Sequence, residues 1–293
     1  MRYLVTHRTQ YSYAQPVSVC HNLLHLRPRP LPRQACLSST LTIDPSPALL
    51  EDRLDGFGNP TTFAIVQQVH RELSVEAVSE VDIVPSVAPS TEGGQAWEVV
   101  RDSLRMQRTA EALERYALTF DSPMVQASDT LREFAAVSFP ADRPLLEAAR
   151  DLSSRIHRDL TYTPGATTIA TTAEETLSIG RGVCQDFAHL AVGCLRSLGL
   201  AARYVSGYLV NVPAAAAGVD DELTGADASH AWLALWTPEH GWVDLDPTND
   251  LLPTDRHVTL AWGRDYGDVS PIKGVILGGG DHTVDVAVDV IAV

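Results

Sequence analysis

The chain has 293 residues, of which 45% are apolar and 20% are charged, and its mean hydropathy is close to zero. This composition is typical of an ordinary soluble globular protein of one large or two modest domains. No uninterrupted apolar run approaches the ~18 residues of a membrane-spanning helix. The formal net charge is −15 and the 22 Lys and Arg residues form no stripe, which argues against nucleic acids and anionic membranes as partners.

The N-terminal sequence and the spacing of the cysteines suggest the cellular compartment of the protein. Residues 1–7 lead directly into alternating polar and apolar side chains without an apolar signal core, so the sequence predicts a cytoplasmic protein. The cysteines form no CxxC pair, and without a signal peptide we expect no disulfide framework. They are Cys20, Cys36, Cys184 and Cys194.

No pattern in the sequence indicates a cofactor or a metal. Neither a phosphate loop nor a dinucleotide fingerprint is present. Cys20, His21 and His25 are close enough in sequence to be considered as zinc ligands, but no fourth ligand lies nearby. The sequence therefore predicts an activity that needs no cofactor and no metal.

Residues 1–90 are predicted to form an N-terminal β domain. Short runs of strand-forming residues alternate with Gly and Pro turns, and residues 73–81 alternate strictly over most of their length, which favours a sandwich-like β fold. Residues 85–94 have the composition of a linker. We therefore expect a second domain, residues 96–293, that ends in a β tail at residues 282–290.

The second domain is predicted to begin with helices and continue with strands, an α+β order. Helices are expected after Ser128 and Pro144 and at Thr172, and the clearest one follows Cys184. Its apolar residues recur at helical spacing, and Gly199 is a natural stop. Strand-like runs follow at residues 201–210, 230–236 and 242–245, and residues 212–228 are predicted to be a mobile loop.

Three residue types in this domain suggest a thiol nucleophile with its partners. Cys184 would occupy the first turn of its helix, where free backbone N–H groups and the positive dipole end favour a thiolate. His230, at the start of an apolar strand, could act as its base. Either Asp244 or Asp246 could orient the imidazole; the spacing modestly favours Asp246. The other nine histidines are interpreted as packed or surface residues.

Four motifs, taken together and in order, resemble the bacterial transglutaminase-like superfamily. They are GVCQDFA at 182–188, RYVSGY at 203–208, SHAW at 229–232 and GWVDLDPT at 241–248. The resemblance to the family core covers about residues 142–249. The N-terminal β segment resembles the domain that precedes this core in many bacterial members, and residues 261–274 resemble their C-terminal segment.

This resemblance implies a papain-like α+β core and a role for each site residue. Cys184 is implied as the nucleophile, His230 as the base and Asp246, rather than Asp244, as the orienting carboxylate. No motif fixes the family's aromatic oxyanion donor; Tyr162, in the loop that approaches the cysteine, is the candidate. Trp232 and Trp242 are expected to pack around the three residues and are candidates for substrate contact. No calcium site of the animal enzymes maps onto this chain.

The implied activity is acyl transfer at an amide bond through a thioester. With water as acceptor the enzyme would be a cysteine peptidase or amidase, and with an amine it would be a protein-glutamine transglutaminase. We expect the hydrolase, because microbial members are often taken to be hydrolases; a non-catalytic peptide-binding scaffold is the third alternative. The expected partner is a peptide or protein amide substrate, and the sequence leaves open whether the chain forms a homo-oligomer.

The acids of the predicted loop suggest a preference among substrates. They could gate the cleft or favour a cationic amine acceptor. They are Asp220, Asp221, Glu222 and Asp227.

Overall fold

A computed structural model describes residues 1–210, 223–225 and 229–293. The loop acids Asp220, Asp221, Glu222 and Asp227 lie outside the described residues. Among the helices of the described ranges, none is long and apolar enough to cross a membrane.

The chain begins with five strands, continues mainly with helices and ends mainly with strands. The first five strands are β1 (Arg2–Leu24), β2 (Gln34–Asp44), β3 (Leu49–Leu54), β4 (Pro60–Val66) and β5 (His70–Ile83). Next come α1 (Trp97–Met106), α2 (Ala110–Ala117), α3 (Asp129–Ala136), α4 (Leu145–Asp159), β6 (Thr161–Tyr162), α5 (Ala173–Ile179), β7 (Arg181–Gly182) and α6 (Cys184–Ser197). The rest are β8 (Ala202–Leu209), β9 (His230–Thr237), β10 (Gly241–Leu245), β11 (His257–Gly263), α7 (Tyr266–Val269), β12 (Ile272–Gly278) and β13 (His282–Ala292).

The five N-terminal strands, in the order β2-β5-β1-β4-β3, belong to a seven-stranded sheet built around the long strand β1. The first half of β1 pairs mainly with β5, and its second half pairs with β4. Buried side chains from both halves pack into one cluster, so the sheet encloses a core as a sandwich does. Val17, Ala64 and Val75 are among its members. The predicted class, α+β with a β-rich N-terminal region, is confirmed.

The C-terminal tail belongs to this N-terminal sheet, which differs from its expected grouping with the second domain. β13 pairs antiparallel with the first half of β1, and β12 pairs with the second half. Gly278, Gly279 and Gly280, all with positive φ, make the turn between the two strands. An alternating pattern predicts a strand but carries no information about which sheet edge it joins, so the sequence predicted the strand and not its partner.

Helix ends in the second domain follow the capping residues of the sequence. The Ser128 hydroxyl accepts from the Leu131 N–H, and Thr172 and Glu175 form a capping box at α5. Gly199, with φ of +79°, lies beyond the end of α6. The helices α1 and α2 and the strands β11 and β12 were not predicted.

Helix α6 is almost entirely buried because a sheet and other helices surround it. The sheet has the order β10-β9-β8-β11. Leu233 and Leu235 of β9 join Phe187 and Leu190 of α6 in one apolar cluster. The neighbouring β9 residue Trp232 points to the other face of the sheet, where it packs with different residues.

The N-terminal sheet docks beside the start of α6. Tyr3 and Val5 of β1 share an apolar cluster with Cys184 and Tyr208. The Tyr208 hydroxyl lies 2.9 Å from His7 Nδ1, and the Gln34 side chain bonds both backbone groups of Thr259 in β11. These buried polar contacts fix how the two parts meet.

Candidate active site

Cys184 is the first residue of α6, and the residues around it explain why the helix begins there. The Asp186 carboxylate accepts the Val183 N–H at 2.7 Å, which caps one of the free donors of the first turn. A Cβ on Gly182 would lie 2.6 Å from Asp186 Oδ2, so only glycine leaves room for this cap. Cys184 is 8% exposed, and its backbone N–H has no intrahelical acceptor.

His230 lies between the thiol and a carboxylate. It is the first residue of β9, paired with Gly207 of β8, and it is 1% exposed. Its Nε2 donates to Asp246 Oδ2 at 2.9 Å. Its Nδ1 is buried and has no hydrogen-bond partner among the described residues, so Nδ1 is the nitrogen left for the Cys184 thiol, which interacts with this ring.

The two carboxylate oxygens of Asp246 accept hydrogen bonds from different groups. Oδ1 accepts from the backbone N–H groups of Thr248 and Asn249 at 2.9 and 3.2 Å, which forms the turn after β10. Oδ2 accepts from His230, from His257 Nε2 at 3.0 Å and from Asn249 Nδ2 at 2.8 Å. One side chain therefore both forms this turn and accepts a hydrogen bond from His230.

Helix α4 holds the turn that follows Asp246. Arg150 donates to the Asp250 backbone oxygen at 2.7 Å and forms an ion pair with the Asp250 side chain. Ser154 donates to the same carboxylate at 2.7 Å, and His157 Nδ1 lies 2.9 Å from the Thr248 oxygen. Three side chains on one helix face thus fix the loop that carries the carboxylate.

The electrostatics of the site favour a protonated His230 beside an ionised Asp246. Burial lowers the pKa of His230, but the Asp246 carboxylate, together with the smaller effect of the Cys184 thiol, raises it to about 10. Burial by itself would raise the pKa of Asp246, yet the two histidines hold it well below its usual range. Burial lowers the pKa of His257, which therefore donates as a neutral imidazole.

His257 was missed by sequence reasoning, which grouped it with packed histidines. It begins β11, next to β8 in the sheet, so only the strand pairing carries it to Asp246. The strand-forming residues that follow it could have predicted the strand but not the partner. Burial raises the pKa of Asp244, the alternative carboxylate, and the positive charge of Arg203 partly offsets this effect.

The aromatic candidates lie at different distances from the site. Tyr162 pairs with Gly182 in the short parallel strands β6 and β7, and a Cβ on Gly225 would lie 3.4 Å from its hydroxyl and 3.0 Å from His230 Nδ1. Trp232 stacks on His230 and meets His257 edge-on, at 6.1 and 5.0 Å between centroids. Trp242 was expected to pack around the three residues; its ring packs against the cluster that contains Trp232 and lies over Arg203, 4.3 Å from the guanidinium carbon.

His230, Asp246 and His257 also form a group that could hold a metal ion, because their ligand atoms lie within 4.8 Å of one another. The Nε2–Oδ2 separations of 2.9 and 3.0 Å are hydrogen-bond lengths. Both Nε2 atoms would have to give up their protons and face an ion instead. The geometry therefore fits a hydrogen-bonded carboxylate better than a metal centre.

The comparisons with known proteins agree with this architecture. Residues 3–82 match the family model for the bacterial transglutaminase-like N-terminal region, and residues 134–247 match the model for the transglutaminase-like superfamily. Uncharacterized proteins of Mycobacterium tuberculosis and Mycobacterium bovis are 42% identical over 99% of this chain and 92% of their own length. The chain belongs to the transglutaminase-like superfamily.

Two further relatives carry descriptions of activity. A protein-glutamine gamma-glutamyltransferase of Pseudomonas aeruginosa is 35% identical over 72 residues, which are 25% of this chain and 10% of that protein. The crystal structure of a protein from Cytophaga hutchinsonii, described as a candidate cysteine protease, matches 99% of this chain and 90% of its own with a TM-score of 0.79. At 21% identity, that likeness supports the fold alone.

Proposed function

We propose that this chain is a thiol-dependent acyl-transfer enzyme that attacks amide bonds and passes the acyl group to water, as a cysteine peptidase or amidase. The observation that supports the proposal is His230, whose Nε2 bonds Asp246 Oδ2 and whose ring also interacts with the Cys184 thiol. A nucleophile, a base and an orienting carboxylate in this order of contact form a catalytic triad.

The first half of the reaction makes a thioester. His230 Nδ1 holds the proton that comes from Cys184, as an imidazolium beside the thiolate, and the thiolate adds to the amide carbonyl carbon. The backbone N–H of Cys184, at the positive end of α6, stabilises the oxyanion, and the Tyr162 hydroxyl is the side-chain candidate for a second donor. The imidazolium then returns its proton to the departing amine, and the C–N bond breaks.

The second half regenerates the thiol. His230 removes a proton from the acceptor, the acceptor oxygen or nitrogen adds to the thioester carbon, and Cys184 leaves. Asp246 keeps the proton on Nε2 and stabilises the imidazolium in both halves. His257 and Asn249 hold Asp246 in place through Oδ2.

Transamidation is the second candidate, because the Pseudomonas aeruginosa relative is described as a protein-glutamine gamma-glutamyltransferase. The two activities share the thioester and differ in whether water or an amine reaches it first.

One assay distinguishes the candidates. A library of glutamine-containing peptides is incubated with the enzyme, with and without a primary amine, and analysed by mass spectrometry. Cleavage or deamidation supports the hydrolase, and amine incorporation supports the transglutaminase. Cys184→Ala should abolish every product; products that persist in this variant would overturn the proposal, as would a wild-type protein that modifies no peptide and forms no acyl adduct at Cys184.

A further inference from the structure

A second concave site lies where the N-terminal sheet meets the face of the four-stranded sheet that points away from α6. It is a cavity of about 1080 Å³, which is large enough for a small molecule. The N-terminal part contributes Arg29 and the turn Gly56–Gly58, and the second domain contributes Arg203 and two tryptophans, Trp242 and Trp262. Neither Cys184 nor His230 lines this cavity.

Arg203 is the unusual residue of the cavity, because its buried guanidinium interacts with the Asp244 carboxylate but forms no ion pair or hydrogen bond with it among the described residues. It is 8% exposed, and its guanidinium packs on Trp262 at 3.6 Å and on Trp242 at 4.3 Å. Its Nε has no hydrogen-bond partner among the described residues, and none of the ion pairs in that part of the chain includes it. Burial lowers the pKa of Arg203 to about 9, although Asp244 opposes this effect.

Arg196 shows what a purely structural buried arginine looks like in the same fold. It is 3% exposed, and it donates to the backbone oxygens of Leu118, Ala202 and Arg264 and to the Ser122 hydroxyl. A buried charge is costly unless its hydrogen bonds are made. Arg196 therefore makes its hydrogen bonds within the protein, whereas Arg203 lines the cavity, where a ligand could accept its hydrogen bonds.

A second guanidinium reinforces the positive charge. Arg29 packs on the same Trp262 ring at 3.6 Å. It is fixed by bonds to the Phe57 oxygen at 3.0 Å and to Asn59 Oδ1 at 2.6 Å. Asn59 in turn bonds both backbone groups of Trp262, so the two cations and the indole between the domains are held rigidly.

The lining carries a small excess of positive charge, although the chain carries a net charge of −15 and one lining arginine, Arg264, is paired with Asp268. The basic residues are Arg29, Arg33, Arg115, Arg203 and Arg264, and the acids are Glu111, Glu114 and Asp244. A cavity of opposite sign to the rest of the molecule concentrates anions. A planar guanidinium recognises carboxylate and phosphate groups through paired hydrogen bonds.

We propose that this cavity binds a small anionic ligand whose carboxylate or phosphate group is received by Arg203 and Arg29, with an apolar or planar part packed against Trp242. Asp244, on the same wall, is available to accept a hydroxyl or ammonium donor of the ligand. This site is separate from the proposed acyl-transfer chemistry, and the proposal does not depend on it.

The test uses the full chain with two probes, inorganic phosphate and citrate, against sodium chloride at matched ionic strength. Tryptophan fluorescence and titration calorimetry follow binding. We expect saturable binding of at least one probe but not of chloride. If only phosphate binds, the natural ligand is a phosphate ester; if only citrate binds, it is an organic acid. Saturable binding of neither probe would overturn the proposal.

Variants locate the binding. Arg203→Gln removes charged hydrogen bonds and should weaken binding roughly tenfold to a hundredfold; Arg29→Gln, at a less buried position, serves if the first variant does not fold. Arg101→Gln is the matched control, because Arg101 also packs on a tryptophan, Trp97, but is paired with Asp102. Loss of binding in the control, or retention in both cavity variants, contradicts the assignment. Cys184→Ala should bind as the wild type does.

Discussion

The exchange of Asp246 for asparagine is the perturbation whose consequences follow most directly from the geometry. Oδ2 accepts three hydrogen bonds and Oδ1 accepts two. In asparagine an NH2 group, which is a donor, replaces one of the two oxygens. Two hydrogen bonds are lost if it replaces Oδ1, and three are lost if it replaces Oδ2. At about 1.5–3 kcal/mol for each hydrogen bond to a charged group, the free energy of unfolding should fall by roughly 3–6 kcal/mol.

The same exchange should reverse the protonation of His230. His7 and His189 are buried histidines, and burial lowers the pKa of each to about 4. His230 differs because Asp246 raises its pKa to about 10. In Asp246→Asn we therefore expect the pKa of His230 to fall below neutrality, and kcat to fall by about 10⁴, the loss seen when a triad aspartate becomes asparagine.

The assay is an NMR pH titration of the histidine ring nitrogens, with the His230 signals assigned from His230→Gln and folding checked by circular dichroism. Asp244→Asn is the matched control, since it removes a neighbouring, partly buried carboxylate that does not bond His230. If His230 titrates alike in wild type and Asp246→Asn, or if Asp244→Asn causes the larger change, the reasoning is refuted.

Three further predictions concern neighbouring residues. His257→Leu removes one donor from Asp246 and should lower kcat/KM roughly tenfold to a hundredfold, mainly through kcat; an unchanged kcat would show that His257 has no positioning role. Gly182→Ala places a Cβ against Asp186 and should destabilise by about 1–3 kcal/mol in urea unfolding, whereas Gly56→Ala, with nothing within 4 Å, should be much milder; equal losses would refute the steric argument. Because the folded state lowers the pKa of His7 and His189 to about 4, their contribution is intact above about pH 6.5 and should be lost as the pH falls toward 4, by on the order of 3 kcal/mol for each histidine; urea unfolding at pH 7 and 4.5 measures it, and a flat profile contradicts it.

The parts of the molecule that the sequence predicts are those specified by short stretches of chain. The helix at Cys184 carries its own apolar periodicity and its stop at Gly199, and α5 carries its own cap at Thr172, so both were predicted near their true bounds. The four ordered motifs then brought Cys184, His230 and Asp246 into one hypothesis through family resemblance.

The parts that escaped prediction depend on contacts between distant segments. His257 reaches Asp246 only because β11 pairs with β8, and β13 joins β1 across almost the whole length of the chain. Trp242 was expected near the site because its motif is near Asp246, but it lies four residues earlier along β10, roughly 13 Å in an extended strand, and its ring packs on Arg203. The local sequence of a strand does not determine which distant strand or side chain it will contact.

Competitive labelling of the four cysteines measures whether Cys184 is an activated nucleophile. A peptide-like, thiol-directed probe at limiting concentration is quantified at each cysteine by mass spectrometry. Accessibility alone favours Cys36, which is partly exposed while the other three are buried. Cys184 should nevertheless be labelled fastest, and His230→Ala should remove this advantage. Labelling of Cys36 ahead of Cys184, or a rate at Cys184 that is unaffected by His230→Ala, would contradict this prediction.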